Sequence, residues 1–288
     1  MEAVTQGPGK MVFMVAVFVI LGVALYYLYK WLNGSGELMD SEVFADAESG
    51  MIAMSTSGPT VFKSPDLPPL YGGGEYSIST WVYITNWGIN KLKNKVFLKL
   101  SGGGPADGGY KTLVMYLGQN VNKLGVRVSY DSAVSVGSSN LLNTAQMEKI
   151  SNAVTPYTDA SGDFKKCDIE SVDLQRWVNI TAVLSGRTLD VYMDGKLSRS
   201  CVMDGMFKVD ADTPTLELGG AAGFGGYIGK TRAANFAYSP DQVYKHYQNG
   251  PFKSTWGSWA SALSSPGSLS ITITKNGKPL FGQSNVAK

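Results

Sequence analysis

The chain is poor in the side chains that most often bind transition metals. Its 288 residues include two cysteines, Cys167 and Cys201, and one histidine, His246. A structural zinc site normally needs four cysteine or histidine ligands, so this inventory excludes a zinc site of the usual kind. Ser239 and Asp241 lie near His246 in the sequence, but no nucleophile-elbow motif accompanies them. We therefore interpret His246 as a surface or helix-capping residue.

Charged residues are scarce, and the two signs are balanced. Asp, Glu, Lys and Arg make up 17% of the chain, and the net charge is +2. The basic residues form no cluster or stripe, so the sequence gives no indication of a nucleic-acid partner. Low charge together with 34 glycines is typical of short strands joined by tight turns.

The chain also lacks a compact carboxylate motif for glycoside hydrolysis. A retaining glycosidase needs two carboxyl groups about 5–5.5 Å apart. The nearest run contains Asp168, Glu170 and Asp173. Asp168 and Glu170 could share a strand face, but Asp173 would not, and no further acid completes the set. We therefore predict a protein that is not an enzyme, and keep an active or degenerate glycan hydrolase as the weakest alternative.

The most regular pattern that is present lies in residues 176–202. Apolar and polar residues alternate in Trp177–Leu184 and in Thr188–Met193, as in strands that bury one face. Asp194-Gly195 favours a two-residue hairpin turn, after which Lys196–Val202 returns as a third strand. The pattern predicts an antiparallel meander that needs a second layer over its apolar face.

Further short strand candidates flank the meander, with glycine-rich turns between several of them. This arrangement is typical of a two-sheet antiparallel sandwich. The flanking candidates are Tyr76–Thr85, Lys95–Leu100, Lys111–Leu117, Gly125–Tyr130, Thr215–Leu218 and Gly226–Tyr238. Residues 131–166 form a long polar interruption in which 144–150 could be a short helix.

Three segments carry a family resemblance. They are Trp177–Ile180 with Leu189–Leu197 (LDVYMDGKL), then Tyr76–Tyr83, and finally 228–247 with its short exit helix. Together they resemble the concanavalin A-like lectin/glucanase superfamily, in its laminin-G-like branch. The resemblance covers about residues 72–250 and implies an all-β, two-sheet jelly-roll sandwich, but no particular chemistry. The same meander segments are also similar to structural proteins from virions of large DNA viruses.

The resemblance implies two kinds of ligand. Calcium is common in the superfamily, and the available loop acids are Asp107, Asp131 and Asp163. Their spacing matches no calcium-loop motif, so we predict no metal and no cofactor, with calcium as the weaker alternative. A glycan would contact exposed rings in or near loops. The candidates for such contacts are Trp87, Tyr110, Tyr157 and Phe224.

The two cysteines flank the meander. Cys167 and Cys201 could meet if the segment before Trp177 lies beside the third strand. A bridge would then stabilise the fold by about 3–4 kcal/mol in the chain-entropy model, and it would indicate an oxidising compartment or a dedicated oxidase. Two buried free thiols are the alternative.

Residues 11–29 form an uncharged run bracketed by Lys10 and Lys30. As a helix this run would span about 28 Å, close to the ~30 Å hydrocarbon core of a bilayer. A core helix would show a polar stripe, and a signal peptide would have a shorter apolar core and a small-residue cleavage site. We therefore predict a retained single-pass membrane anchor. Its representative residues are Met11, Val19, Leu25, Tyr26, Tyr27, Tyr29 and Trp31.

These features divide the chain into four predicted regions. They are a tail and transmembrane helix (1–33), an acidic and proline-rich tether (34–72), the jelly-roll domain (73–250) and a C-terminal docking tail (251–288). In the tail, Asn276-Gly277 predicts a β-hairpin. The tail residues expected to dock on a partner are Phe252, Trp256, Trp259, Ile271 and Ile273.

Features that suggest binding outnumber features that suggest chemistry. We therefore expect a membrane-anchored structural or interaction protein whose sandwich docks on neighbouring protein subunits. If the narrower resemblance holds, these would be capsid-type subunits, and the protein would be a minor capsid or membrane protein linking an inner membrane to the shell of a virion. The alternative is a lectin-like, carbohydrate-binding adhesion module.

Overall fold

The computed structural model describes residues 17–25, 39–44, 50–102, 109–131, 139–152, 167–210, 213–252, 274–275 and 278–279. Most of them form a sandwich of two antiparallel sheets, which confirms the predicted all-β fold class. The described elements are α1 (17–25), β1 (Asp40–Phe44), β2 (Met51–Ile52), β3 (Thr60–Lys63), β4 (Glu75–Asn86), β5 (Lys95–Ser101), β6 (Lys111–Leu117), β7 (Leu124–Val128), β8 (Tyr130–Asp131), β9 (Ser139–Asn140), α2 (Thr144–Asn152), β10 (Trp177–Ser185), β11 (Thr188–Met193), β12 (Lys196–Val202), β13 (Thr215–Leu218), β14 (Gly225–Ala234), α3 (Pro240–Gln248), β15 (Thr274–Lys275) and β16 (Lys278–Pro279).

Sheet A contains the predicted meander. Its strand order is β1-β14-β4-β10-β11-β12, and β2 pairs with the outer side of β14. Strands β11 and β12 have the predicted bounds, and β10 extends one residue further. Ile78 on β4 and Ile180 on β10 face the core, whereas Trp81 and Asn179 point away from it, because side chains alternate along a strand.

Sheet B has the order β3-β13-β5-β6-β7. The chain passes back and forth between the sheets, as in a jelly roll: β3 lies in B, β4 in A, β5 to β7 in B, β10 to β12 in A, β13 in B and β14 in A. Part of the long polar interruption packs beside sheet B. Leu142 forms a bridge with Lys111, and the Asn94 side chain donates to the backbone carbonyl of Ile150 at 2.7 Å.

The predicted tether is wrong for much of its length. Strands β1 and β2 pair with β14, and β3 pairs with β13, so the sandwich includes residues from 40 onward. The acids of β1 are matched by bases on β14, with Arg232 at 3.3 Å from Asp40 and 3.7 Å from Glu42. Asp40 and Glu42, which lie in the predicted tether, therefore form ion pairs across neighbouring strands.

The two cysteines are bonded, which confirms the predicted bridge and excludes free thiols. Cys201 lies on β12, at the edge of sheet A, while Cys167 precedes Ile169, which bridges with Leu124 on β7 at the edge of sheet B. The Cα atoms are 5.9 Å apart. The disulfide therefore fastens the two sheets together along one side of the sandwich.

The predicted membrane anchor is only partly described. Helix α1 has exposed side chains throughout, including those of Val19 and Leu25. Within the described residues, no helix combines the length and apolarity needed to cross a membrane. The other representative residues, Met11, Tyr26, Tyr27, Tyr29 and Trp31, lie outside the described residues, so single-pass anchoring stays a prediction.

Two short strands of the predicted C-terminal hairpin are among the described residues. β15 pairs with β16 around Asn276-Gly277, with Thr274 opposite Pro279. Of the predicted docking residues, Phe252 packs edge-on against Trp177 of its own domain, with ring centroids 5.2 Å apart. Trp256, Trp259, Ile271 and Ile273 lie outside the described residues.

Candidate functional site: the groove beside helix α3

A groove of about 710 Å³ lies on sheet A where the β11–β12 turn meets helix α3. It combines tyrosine rings, charged groups and one exposed aliphatic side chain. Its lining residues are Arg176, Met193, Asp194, Lys196, Leu197, Ser198, Tyr244 and Tyr247. Tyr244 is 45% exposed and Leu197 is 55% exposed, so both can be reached from solvent.

The floor of the groove is the Asp194-Gly195 turn predicted from the sequence. Asp194 and Gly195 have φ values of 50° and 76°, as a type I′ turn requires. A Cβ atom on Gly195 would lie 3.0 Å from the Tyr244 ring and 3.1 Å from Cβ of Tyr247. The absence of a side chain at Gly195 therefore lets helix α3 pack directly on the turn.

Helix α3 has a capped N-terminus, and its side chains pack on sheet A beside the groove. Ser239 caps its N-terminus in a reciprocal capping box with Gln242, and Pro240 occupies the first turn. Val243 is fully buried on the outer face of sheet A, and the Tyr247 ring stacks on Trp81 with centroids 5.6 Å apart. These contacts present the Tyr244 ring at the edge of the groove.

One carboxylate organises the polar wall. Asp194 accepts from the Asn179 backbone N–H at 2.9 Å and from the Arg176 guanidinium at 2.5 Å. Arg176 also donates to Asp173 at 2.7 Å. The hydrogen bond to Asp194 raises the pKa of Arg176, against the smaller opposing effect of burial. The guanidinium therefore stays charged and is held in one orientation between two carboxylates.

A second, smaller cavity of about 170 Å³ lies beside strands β2 and β14 of sheet A. Its lining is mainly apolar. The residues are Ile52, Met54, Thr85, Ile89, Phe224, Gly225, Gly226 and Tyr227. Tyr227 is 38% exposed, and it pairs across the sheet with Tyr83.

The structure does not bring the predicted glycan-contact residues together. Phe224 is fully buried against Phe97, which corrects its assignment as an exposed ring. Trp87 is half-buried: its indole N–H donates to the Gln119 carbonyl, and the Lys95 ammonium lies 4.4 Å from its ring. The polar edge and one ring face of Trp87 are therefore already occupied, and its contact with a glycan stays a prediction.

The remaining predicted glycan contacts are Tyr110 and Tyr157. Tyr110 is half-buried, and burial, with the nearby Asp210 and Asp131 carboxylates, raises its pKa to about 12. Tyr157 lies outside the described residues.

Among the described residues, the acids of the hydrolase and calcium alternatives lie in ion pairs. Asp168 binds the fully buried Arg127, and Asp131 lies 2.8 Å from the Lys208 ammonium. Glu170 is largely exposed beside Lys123. Across the described residues, no three His, Cys, Asp or Glu side chains are grouped so as to hold a metal ion, and Asp107 and Asp163 lie outside them.

His246 belongs to a cluster that joins α3 to β1 and β14. Its Nε2 atom is 3.7 Å from the Asp40 carboxylate, which also accepts from the Tyr238 hydroxyl at 2.9 Å. Burial lowers the pKa of His246, and the charge of Arg232 lowers it further, while Asp40 opposes them and Lys230 adds to the decrease. The lowered pKa favours the neutral imidazole, and its side chain is only 12% exposed, which corrects the surface alternative of the sequence interpretation.

Sequence reasoning missed most of the groove. The turn signal at Asp194-Gly195 and the helix signal at Ser239-Pro240 were both present, but nothing in either shows that they meet. Tyr244 lies in the predicted exit helix, but the helix signal does not show which part of the sheet that helix packs on.

Comparisons with known proteins add little to this geometry. No family model matches the chain, and no curated protein matches it significantly. Among solved structures, the chain is similar to the sialidase CBM40 of Ruminococcus gnavus bound to α2,3-sialyllactose (TM-score 0.44, 13% identity, covering 72% of this chain and 99% of that one). It is also similar to the receptor-binding domain of botulinum neurotoxin D (TM-score 0.43, 10% identity, covering 74% and 48%).

A third similar structure is the botulinum neurotoxin serotype G binding domain (TM-score 0.40, 12% identity, covering 66% of this chain and 45% of that one). The chain thus spans less than half the length of the toxin chains that it matches. With these TM-scores the likenesses carry no argument about this chain's function, and none of them supports the narrower resemblance to virion proteins.

Proposed function

We propose that this chain is a lectin-like, carbohydrate-binding protein that binds its ligand in the groove and does not catalyse a reaction. The observation that carries the proposal is the pairing of an exposed tyrosine ring, Tyr244, with the fixed Arg176–Asp194 pair in one cavity. A sugar offers an apolar C–H face and several hydroxyls. It is bound well by an aromatic ring beside groups that both donate and accept hydrogen bonds.

The charges of the groove favour a neutral sugar. The positive charge of Arg176 is opposed by Asp173 and Asp194, which lie at 2.5 Å from it. Lys196 is the remaining charged group among the residues that line the cavity. A strongly anionic glycan would need more unopposed cations than this wall presents.

The first test is a glycan array probed with the full chain in detergent micelles. Wild type should bind at least one group of related neutral glycans, and free glycan should compete. Tyr244→Ala should weaken that binding by about tenfold or more, because an aromatic ring that contacts the ligand often supplies a large share of the binding free energy. No binding to any sugar, or unchanged binding by Tyr244→Ala, contradicts the proposal.

The proposal includes membrane attachment through residues 11–29. The support is the apolar, exposed surface of α1, on which Phe18 and Ile20 have no covering partner among the described residues. Alkaline carbonate should fail to extract the wild-type chain from membranes. The variant Ile20→Arg with Leu21→Arg should be extracted, since each charge near the centre of a helix opposes insertion by about 2.5–3.5 kcal/mol. Equal extraction of both chains would contradict the anchor.

A second candidate function is docking on a neighbouring protein subunit. The observation that favours it is the edge of sheet A, where six of the seven residues of β12 are exposed. Leu197 and Val202 are each 55% exposed there. Cross-linking mass spectrometry on native membranes should then place Lys196 beside one abundant partner in a fixed position. Sparse, scattered cross-links would remove this candidate.

A further inference from the structure

Seven aromatic side chains lie along the outer face of sheet A, and we call them the belt; Trp81 among them is buried, with the Tyr247 ring stacked on it. The belt consists of Tyr244, Tyr247, Trp81, Trp177, Phe252, Tyr83 and Tyr227. Ring centroids are 6.2 Å apart for Tyr244 and Tyr247, 5.6 Å for Tyr247 and Trp81, and 5.4 Å for Trp177 and Tyr83. Tyr227 continues the belt as the cross-strand neighbour of Tyr83.

Glycines hold the two tryptophans of the belt side by side. A Cβ atom on Gly229 would lie 3.1 Å from Cβ of Trp81 and 2.9 Å from Cζ3 of Trp177. A Cβ atom on Gly50 would lie 2.9 Å from the tip of the same Trp177 ring. Side chains at these two positions would therefore collide with the Trp177 indole, which is half-buried.

The belt connects the two cavities. Tyr244 lines the groove at one end, and Tyr227 lines the second cavity at the other. Both rings are substantially exposed, and Trp177 and Tyr83 between them are half-buried. Neighbouring strands of a sheet lie about 4.8 Å apart, so rings on β10, β4 and β14 are presented at short, regular intervals.

We propose that the belt is the binding face of an extended neutral oligosaccharide, with one sugar in the groove and the next sugars over Trp177, Tyr83 and Tyr227. The proposal rests on the function proposed above and specifies its ligand. Ring faces attract the weakly positive C–H groups of a sugar, and they discriminate little between sugars. The fixed polar contacts lie at the groove, where Arg176 and Asp194 orient one residue. The belt therefore increases the affinity as the oligosaccharide becomes longer, and the groove determines which kind of sugar is bound.

The test measures affinity by titration calorimetry for the mono-, di-, tetra- and hexasaccharide of the best glycan series, using the full chain in detergent micelles. The affinity should rise about tenfold or more from the monosaccharide to the tetrasaccharide, since each added ring contact contributes a modest increment. Tyr227→Ala should remove that gain and leave monosaccharide affinity unchanged, whereas Tyr227→Phe should retain it. Tyr244→Ala should weaken every ligand.

The outcomes separate the two proposals. Affinity independent of chain length, or a Tyr227→Ala variant that binds long ligands like wild type, overturns the belt and leaves the groove standing. Binding of no sugar at all overturns both. A third outcome is that no sugar binds and that Tyr227→Ala weakens the binding of the protein to phosphatidylcholine vesicles. In that case the belt contacts membranes, and the oligosaccharide proposal is wrong.

Discussion

At the scale of single residues, Gly195 decides whether the groove can exist. Its φ of 76° and the 3.0 Å approach of Tyr244 both exclude a side chain. Gly195→Ala should lower the free energy of unfolding by about 1–3 kcal/mol from backbone strain, and by more from displacement of α3. Urea unfolding measures both. Gly250→Ala is the matched control, because Gly250 has a φ of 72° with no atom within 4 Å. Equal losses would show that α3 does not pack tightly on the turn.

A second residue-scale prediction concerns the buried ion pair behind sheet B. Asp168 binds Arg127, whose side chain is fully buried. Asp168→Asn should destabilise the fold by about 3–5 kcal/mol, because it removes the negative charge that binds a fully buried guanidinium. Asp173→Asn removes a mostly exposed partner of Arg176 and should change stability by no more than about 1 kcal/mol. Thermal unfolding that ranks Asp173→Asn as the worse variant would contradict the assignment.

At the scale of elements, the disulfide is a covalent link between the edges of the two sheets. Cys167 and Cys201 join the segment beside β7 to β12. The double variant Cys167→Ala with Cys201→Ala should unfold at lower urea concentration, with a loss of about 3–4 kcal/mol, because the unfolded chain without the cross-link has more conformational entropy. Adding reductant should destabilise wild type by a similar amount and leave the double variant unchanged. An effect of reductant on the double variant would point to another cause.

Helix α3 should make stability depend on pH through His246. Burial lowers the folded-state pKa of His246, so the unfolded chain binds this proton more readily. The stabilising contribution is therefore present above the unfolded pKa of about 6.5, and it is lost as pH falls through that value toward the folded pKa. His246→Gln should flatten this part of the stability curve. A wild-type curve that rises on acidification between pH 7 and pH 5 would contradict the direction.

The elements also show what the sequence could and could not predict. Strands such as β11 and β12 were predicted to the residue, because alternating side chains and an Asp-Gly turn are local signals. Strand β1 has no such pattern in DSEVF. It exists because Arg232 and its neighbours on β14 pair with it, nearly 200 residues later in the chain.

The candidate site was less predictable for the same reason. Trp87 and Phe224 lie beside glycines and polar residues, which suggested exposed loop tips, yet tertiary packing buries them wholly or in part. Tyr244 lies on a helix whose position over the β11–β12 turn depends on the path of the whole chain. Exposure of a ring is a property of that path, not of its local sequence.

At the scale of the whole molecule, few residues separate the sandwich from the proposed anchor, because the predicted tether is largely part of the sandwich. The sandwich begins with β1 at Asp40, and the anchor ends at residue 29. The ten residues between them can reach at most about 35 Å when fully extended. In a membrane-attached chain, β1 would therefore stay within about 35 Å of the end of the anchor.

The most direct test of the central claim is lysine footprinting of the full chain with and without its best glycan. Lys196 lines the groove, and Lys63 on β3 of sheet B is an exposed control. At a glycan concentration about ten times the Kd, acetylation of Lys196 should slow by about tenfold, since the free site is then a small fraction of the protein. Acetylation of Lys63 should not change. Unchanged acetylation of Lys196 in the presence of a bound glycan would show that the sugar binds elsewhere and that the groove is not its site.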